Sequence, residues 1–281
     1  MMAEYGRRSL SVVATAICAA LYAVGCYTTA YIPSPWGFGQ FRPAVVIPSF
    51  FATIFGPLPA AVGAAIGTLI ADSVKHGYLY PGSLIAAVPG NFLGFYLFGR
   101  IVRNRFSWTR FILASNLTLT LANFIVAALY ILCYKVLYMN QLTNLPPGAL
   151  AFLIVGLTIW WFVTMLPFVL LITPPLIRAT ASAFPSIVPR EVREHSLKEE
   201  LPETAFSSAL LTPGIIMLLI GLATSYTSLG RYLTSFFGDP TRFLVELMFY
   251  LSGAVLSLLG LLFRVRARAP EKVPVASLNT R

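Results

Sequence analysis

Residues 33–82 read PSPWGFGQFRPAVVIPSFFATIFGPLPAAVGAAIGTLIADSVKHGYLYPG, and this stretch decides how the rest of the chain is interpreted. It begins with a loop rich in glycine, proline and aromatic residues. Two short apolar segments follow, separated by a Gly56–Pro57 break. The stretch ends with ionisable and aromatic residues, namely Asp72, Lys75, His76, Tyr78 and Tyr80. A loop that can fold over a cavity, followed by two closely packed helices, indicates a membrane protein that captures a small molecule.

The composition of the whole chain predicts an all-α, polytopic membrane bundle. Of 281 residues, 57% are hydrophobic and 11% are charged, whereas soluble domains carry about 25% charged residues. Several segments approach the roughly 20 apolar residues that cross a bilayer, and they lack the alternating pattern of a membrane β-barrel. The predicted spans are residues 9–31, 43–55, 57–71, 81–99, 111–134, 149–177, 209–226 and 243–263.

These spans divide the chain into four predicted parts. Residues 1–180 form a six-span domain, and residues 181–208 form a charged linker with a short surface helix. Residues 209–264 form a two-span hairpin, and residues 265–281 form a basic, disordered tail. The second and third spans are short, since about 13 to 15 residues cover roughly 20–22 Å of a 30 Å hydrocarbon core.

The positive charges predict the orientation in the cell membrane. The net charge is +10, but the lysines and arginines lie between the apolar segments, which argues against a nucleic-acid surface. With eight spans and a cytoplasmic N-terminus, most of the 20 lysines and arginines fall inside, as the positive-inside rule requires. The first loop, residues 32–42, is then outside, and the C-terminus is cytoplasmic.

The sequence lacks the common catalytic and metal-binding motifs. There is no phosphate-binding GxxxxGK[ST] loop and no HExxH motif. The three cysteines lie within apolar segments without metal-ligand spacing, and are interpreted as buried small hydrophobes. We therefore predict no enzyme activity, no catalytic residue, no metal and no cofactor.

The first loop supplies one group of candidate binding residues. Its prolines and glycines exclude a regular helix. Trp36 and Phe38 can stack on a ligand or anchor the loop at the membrane interface, two alternatives that the sequence leaves open. Gln40 and Arg42 add polar groups, and Arg42 would suit a carboxylate or phosphate.

A second group comes from the fourth to sixth spans, which we expect to enclose a mostly apolar cavity under the first loop. Asn91 and Asn123 lie near mid-span, where they bind a ligand or hydrogen-bond between helices. Tyr130, Tyr134 and Trp160 can stack on a planar ring. The predicted ligand is an aromatic ring system with polar edges.

Two further patterns are local. Asp72 is three residues from Lys75 and four from His76, so an ion pair within one helix is the default interpretation. Ala16 and Ala20 share one helix face, where small residues let another helix approach closely in lipid. That partner helix belongs either to this chain or to another protein.

The first 180 residues resemble the S components, the substrate-binding subunits, of energy-coupling-factor (ECF) vitamin transporters, in particular the riboflavin-transporter-like group. The matching features are Ala16-x-x-x-Ala20 after a basic start, Arg42-Pro43-Ala44 after the first loop, GPLPAAVGAAIGTLIAD at 56–72, and a turn-like Pro89-Gly90-Asn91 within the fourth span. The two C-terminal spans and the linker depart from the six-helix pattern.

The resemblance implies a function. Such subunits bind a vitamin or related micronutrient from outside, and the loop after the first helix closes over it. Residues 36–42 would form this lid, and Ala16 and Ala20 would contact the transmembrane coupling subunit, which two ATPase subunits drive. A solitary secondary transporter or channel remains an alternative, as does a membrane sensor that signals through residues 178–208.

Overall fold

The computed structural model describes residues 2–103 and 105–266, and the architecture is a bundle of helices. The main helices are α1 (Met2–Thr28), α2 (Val46–Ile54), α3 (Pro57–His76), α4 (Val88–Arg103), α5 (Trp108–Ala128), α6 (Pro147–Ala183), α7 (Arg190–Lys198), α8 (Glu203–Tyr226), α9 (Ser228–Ser235) and α10 (Asp239–Arg266). A 3₁₀ turn, Pro43–Val45, precedes α2, and π-helical segments at Ser83–Ala87 and Leu129–Tyr138 precede α4 and extend α5.

Within the described residues, seven helices are long and apolar enough to cross a membrane, and one shorter apolar helix, Pro43–Ile54, accompanies them. The all-α membrane bundle is therefore confirmed. The third predicted span is longer than expected, because α3 has 20 residues and ends at His76 rather than at residue 71. Gly77, with a φ of 77°, adopts the left-handed conformation that closes a helix C-terminus.

Other predicted boundaries also change. The turn-like element predicted at Pro89-Gly90-Asn91 is wrong, because these residues continue helix α4. Pro89 is tolerated there because it follows a π-helical segment at the start of the helix. Gly90 instead allows close packing, since a Cβ atom at this position would lie 2.4 Å from Val126 Cγ2 of α5.

Glycines also bring α1 and α3 together. A Cβ atom at Gly63 would lie 2.6 Å from Cys18 Cβ, and one at Gly67 would lie 2.7 Å from the Ala19 carbonyl oxygen. The face of α1 that carries Cys18 and Tyr22 is fully buried by this contact. The opposite face of α1 remains exposed on the bundle, and it includes Ala16.

The charged linker is shorter and better packed than predicted. Helix α6 continues to Ala183, and α8 begins at Glu203, so both enter the range assigned to the linker. Helix α7 lies against the bundle, where Glu191 accepts a hydrogen bond from the Phe106 backbone N–H at 3.2 Å and Arg178 donates to the Ser196 carbonyl at 3.0 Å.

Helices α8, α9 and α10 form a C-terminal hairpin, Glu203 to Arg266. Helices α8 and α10 pack closely through glycines, since a Cβ atom at Gly214 would lie 2.7 Å from the Ser257 backbone nitrogen and one at Gly253 would lie 2.8 Å from Leu218 Cγ. Helix α10 includes residues 265 and 266, which were predicted as tail. The remainder of that prediction, residues 267–281, lies outside the described residues.

Candidate ligand-binding cavity

A cavity of about 140 Å³ lies at one end of the bundle, beneath the first loop. Its wall combines α1, α3, the two π-helical segments, α4, α5 and α6. The residues that line it are Tyr22, Pro33, Gly37, Gly39, Gln40, Arg42, Asp72, Lys75, His76, Tyr80, Gly82, Ser83, Ala86, Ala87, Asn91, Asn123, Val126, Tyr130, Trp161 and Met165.

The first loop forms a compact double turn over this cavity. The Phe41 backbone N–H donates to the Ile32 carbonyl at 2.9 Å, and the Gly37 N–H donates to the Ser34 carbonyl at 2.9 Å. Gly37 and Gly39 have φ values of 73° and 69°, which disfavour any residue with a side chain. The glycines predicted to break the helix therefore also determine the shape of the loop.

Helix α6 holds the first loop closed at Trp161. Its indole Nε1 donates to the Gln40 carbonyl oxygen at 3.0 Å. Gly39 lies directly on the indole, because a Cβ atom at this position would be 2.5 Å from Trp161 Cζ2. Phe41 adds an edge-to-face contact with Phe168 at 5.6 Å. The loop is thus docked on one helix through aromatic side chains.

A buried ion pair forms one wall of the cavity. Arg42, at the end of the first loop, donates hydrogen bonds to the Asp72 carboxylate and to the Thr68 hydroxyl, both on α3. Arg42 and Asp72 are 9% and 4% exposed. Gln40 Oε1 lies 3.5 Å from the guanidinium. The charge of Arg42 is therefore neutralised within the protein.

This arrangement corrects the predicted ion pair within α3. Asp72 pairs with Arg42 at the end of the first loop, whereas Lys75 Nζ donates to the Ala30 carbonyl at 2.6 Å and lies over the Tyr31 ring. The sequence suggested the local pair because the spacing permits it. A partner 30 positions away was not recognisable from spacing alone.

Aromatic rings surround the cavity mouth. Tyr80 stacks on His76 with ring centroids 3.8 Å apart, and its hydroxyl lies 3.2 Å from the Tyr130 hydroxyl. Burial raises the pKa of Tyr80 above its ordinary value, and Tyr130 acts in the same direction, so Tyr80 keeps its proton and can donate a hydrogen bond. Lys135 covers this cluster, with its Nζ 5.2 Å from the Phe38 ring.

Two buried polar side chains in the cavity, Ser83 and Asn123, lack a strong partner among the described residues. Ser83 Oγ is buried and has no hydrogen-bond partner within the described part of the chain. Asn123 is 6% exposed, and its amide makes a weak contact with Met165 Sδ at 3.6 Å. Asn91 lines the same space. Buried polar groups without good partners cost free energy unless a ligand or water pairs with them.

The structure brings five of the nine predicted binding residues to the cavity wall, namely Gln40, Arg42, Asn91, Asn123 and Tyr130. The other four lie outside the wall. Trp36 packs on Phe152 of α6, and Phe38 and Tyr134 contact Tyr130 from behind. Trp160 packs against the hydrophobic core, and its neighbour Trp161 lines the cavity. The predicted binding roles of all nine remain predictions.

Sequence reasoning missed Trp161, Tyr22, Ser83 and Met165 as lining residues. Trp161 and Met165 are four residues apart and share one face of α6, so helical spacing was an available signal. Ser83 gave none, because a serine at a span entrance is common. Among the described residues, no group of three or more His, Cys, Asp and Glu side chains is arranged to hold a metal ion.

Ala16 and Ala20 are both exposed on α1, on the face turned away from α3. Large apolar side chains flank them, with Val13, Ile17 and Val24 47% to 64% exposed. This face is covered by lipid or by another protein, and within the described residues no helix of this chain occupies it.

A family model described as the ECF-type riboflavin transporter, S component, matches residues 8–177. The chain belongs to this family. No curated protein and no solved structure gives a significant match. The protein is therefore a substrate-binding membrane subunit of an ECF-type transporter, and its family is not a class of enzymes. The matched segment ends within α6, so α7 and the C-terminal hairpin lie outside it.

Proposed function

We propose that this S component captures riboflavin, or a closely similar uncharged planar heteroaromatic compound, on the outer side of the cell membrane. The observation that carries the proposal is the cavity beneath the first loop, in which the buried charge is already paired and hydrogen-bonding groups remain free. Arg42 is paired with Asp72, and this pairing supports an uncharged ligand over an anionic one.

The lining fits such a ligand in chemical type. Trp161 and Tyr130 offer aromatic surfaces, and Ser83, Asn91 and Asn123 offer hydroxyl and amide groups. A planar ring system with carbonyl, imide and hydroxyl groups would use both. Ligand sites are typically apolar with a few fixed polar groups of this kind.

In the proposed transport cycle, the first loop closes over the ligand from outside. The exposed Ala16 and Ala20 face docks on a transmembrane coupling subunit, and two ATPase subunits supply the energy. Both termini are proposed to be cytoplasmic. The exposure of the two alanines supports this docking, because small side chains permit close approach of a partner helix.

The test is a binding panel on the purified full-length protein, with riboflavin, riboflavin phosphate, a pterin, thiamine and biotin. We expect riboflavin to bind most tightly and riboflavin phosphate at least tenfold more weakly, because a phosphate would be desolvated while Arg42 is already paired with Asp72 and Lys75 is held by the Ala30 carbonyl. Tighter binding of the phosphate, or no binding across the panel, would contradict the proposal.

A matched pair of variants locates the site on α5. Asn123→Ala should weaken riboflavin binding roughly fivefold, since a hydrogen bond is worth about 1 kcal/mol. Asn116→Ala is the control, because Asn116 bonds to the Ile112 carbonyl of its own helix, away from the cavity. Uptake by cells that lack coupling and ATPase subunits would instead favour a solitary transporter.

A further inference from the structure

The C-terminal hairpin reaches the first loop through a line of three aromatic rings. Trp36 of the loop is 8% exposed and meets Phe152 of α6 edge to face at 6.1 Å. The Phe152 ring in turn lies 6.2 Å from Phe237, which follows α9. Phe237 is fixed by its own backbone N–H, which donates to the Thr234 carbonyl at 3.1 Å.

Trp36 packs tightly against α6. A Cβ atom at Gly156 would lie 2.3 Å from Trp36 Cη2, so this glycine makes room for the indole. Leu233 of α9 approaches Gly148 at the start of the same helix, with Leu233 Cδ2 3.8 Å from the ideal Cβ position. Helix α6 and the C-terminal hairpin together therefore support the indole.

Between the first loop and the C-terminal hairpin, Trp36 is packed more loosely. A second cavity, with a volume of about 290 Å³, lies here. The first loop contributes Trp36 and Phe38 to its lining, and the C-terminal hairpin contributes Phe236, Phe237 and Thr241. The indole of Trp36 thus has free space on this side, and Phe237 is one of the side chains that limit its displacement.

We propose that the C-terminal hairpin acts as a brace for the first loop, and that Phe237 is a positioning residue that sets how long the cavity stays closed over its ligand. This inference rests on the proposed function insofar as the loop covers a ligand. Stabilising a closed loop slows ligand release more than ligand entry, because entry begins from the open state. A hairpin that served as a membrane anchor alone would need no aromatic contact with Phe152, the residue on which Trp36 packs.

The first test needs no ligand. Amide hydrogen exchange of residues 33–41 is measured by mass spectrometry on the full-length protein in lipid nanodiscs. Phe237→Ala should increase exchange of the Gly37 and Phe41 amides, which hold the loop turns. Phe237→Leu should retain most of the protection. Phe243→Ala is the matched control, because Phe243 lies on the same hairpin and is 65% exposed.

Loop exchange in Phe237→Ala that equals wild type and Phe243→Ala would overturn the inference. A uniform increase across all helices would also overturn it, because that result indicates general destabilisation rather than release of one loop. An increase confined to residues 33–41 supports it.

The second test measures release of bound riboflavin by stopped flow. Phe237→Ala should raise the dissociation rate constant roughly threefold to tenfold, the range expected for one lost aromatic pair, with a smaller change in the association rate constant. Faster loop exchange with an unchanged dissociation rate would overturn the role in ligand retention. Failure of wild type to bind riboflavin would instead refute the proposed substrate, and the exchange result would stand independently.

Discussion

The two parts of the chain each contain an Arg–carboxylate pair, and the two pairs differ in burial. In the family core, residues 8–177, the side chains of Arg42 and Asp72 are 10% and 6% exposed. Arg42 ends the first loop and Asp72 lies on α3, 30 positions later in the chain. In the C-terminal hairpin, Arg242 and Glu246 are one helical turn apart, with side chains 35% and 23% exposed. The core places its buried ion pair in the wall of a cavity. In the hairpin, α8 and α10 pack on each other and the ion pair is partly exposed on the surface.

The largest difference is expected from breaking these ion pairs. Asp72→Asn leaves Arg42 buried without a counter-charge, which costs about 3–5 kcal/mol, and ligand affinity should fall by at least a hundredfold. Glu246→Gln should change stability by less than about 0.5 kcal/mol. Thermal unfolding in detergent and a ligand titration measure both. The double variant Arg42→Gln with Asp72→Asn should regain stability, and its failure to do so would contradict the pairing.

A smaller difference is expected from adding one methyl group to a helix contact. Gly156→Ala displaces Trp36 of the first loop, and we expect ligand affinity to fall roughly tenfold, with a modest loss of stability of about 1–3 kcal/mol. Gly253→Ala crowds Leu218 within the C-terminal hairpin, so it should lower the unfolding temperature and leave affinity within twofold. Equal effects of the two variants on affinity would remove the distinction between the regions.

The smallest difference concerns two buried hydroxyls that lack partners in the described structure, those of Ser83 and Ser257. Ser83 lines the cavity, so Ser83→Ala should weaken ligand binding roughly fivefold by removing about 1 kcal/mol of hydrogen bonding. Ser257→Ala should leave binding unchanged and should maintain or raise stability, since it removes an unpaired polar group. Calorimetric titration and thermal unfolding distinguish the two; unchanged affinity in Ser83→Ala would exclude Ser83 from the site.

Periodicity and hydrophobicity were enough to predict the helices, because lipid requires long apolar segments with internal hydrogen bonding. They were not enough to predict the residues at which the helices begin and end. Helix α3 continues past residue 71 until Gly77 stops it, and Pro89 is accommodated by a preceding π-helical segment that no sequence period indicates. Local rules predict where helices exist better than where they finish.

Five candidate binding residues line the same cavity, because they share helix faces or the first loop, and their binding roles remain predictions. The partner of Asp72 was not predicted, since Arg42 lies 30 positions away and only the folded chain brings the two together. The sequence also did not indicate that Trp161, rather than Trp160, would line the cavity. Adjacent residues on a helix differ by about 100° in direction, and the rotation of α6 depends on packing against the first loop.

Helix α6 has 37 residues and a length of about 55 Å, whereas the hydrocarbon layer is roughly 30 Å thick. Inclination alone would need an angle of about 57°, beyond the 0–40° seen for membrane helices. At least one end of the helix must therefore emerge among the lipid headgroups. If the emerging part is the N-terminal end, at Pro147, a water-soluble nutrient can reach the cavity from the headgroup layer without first entering the hydrocarbon.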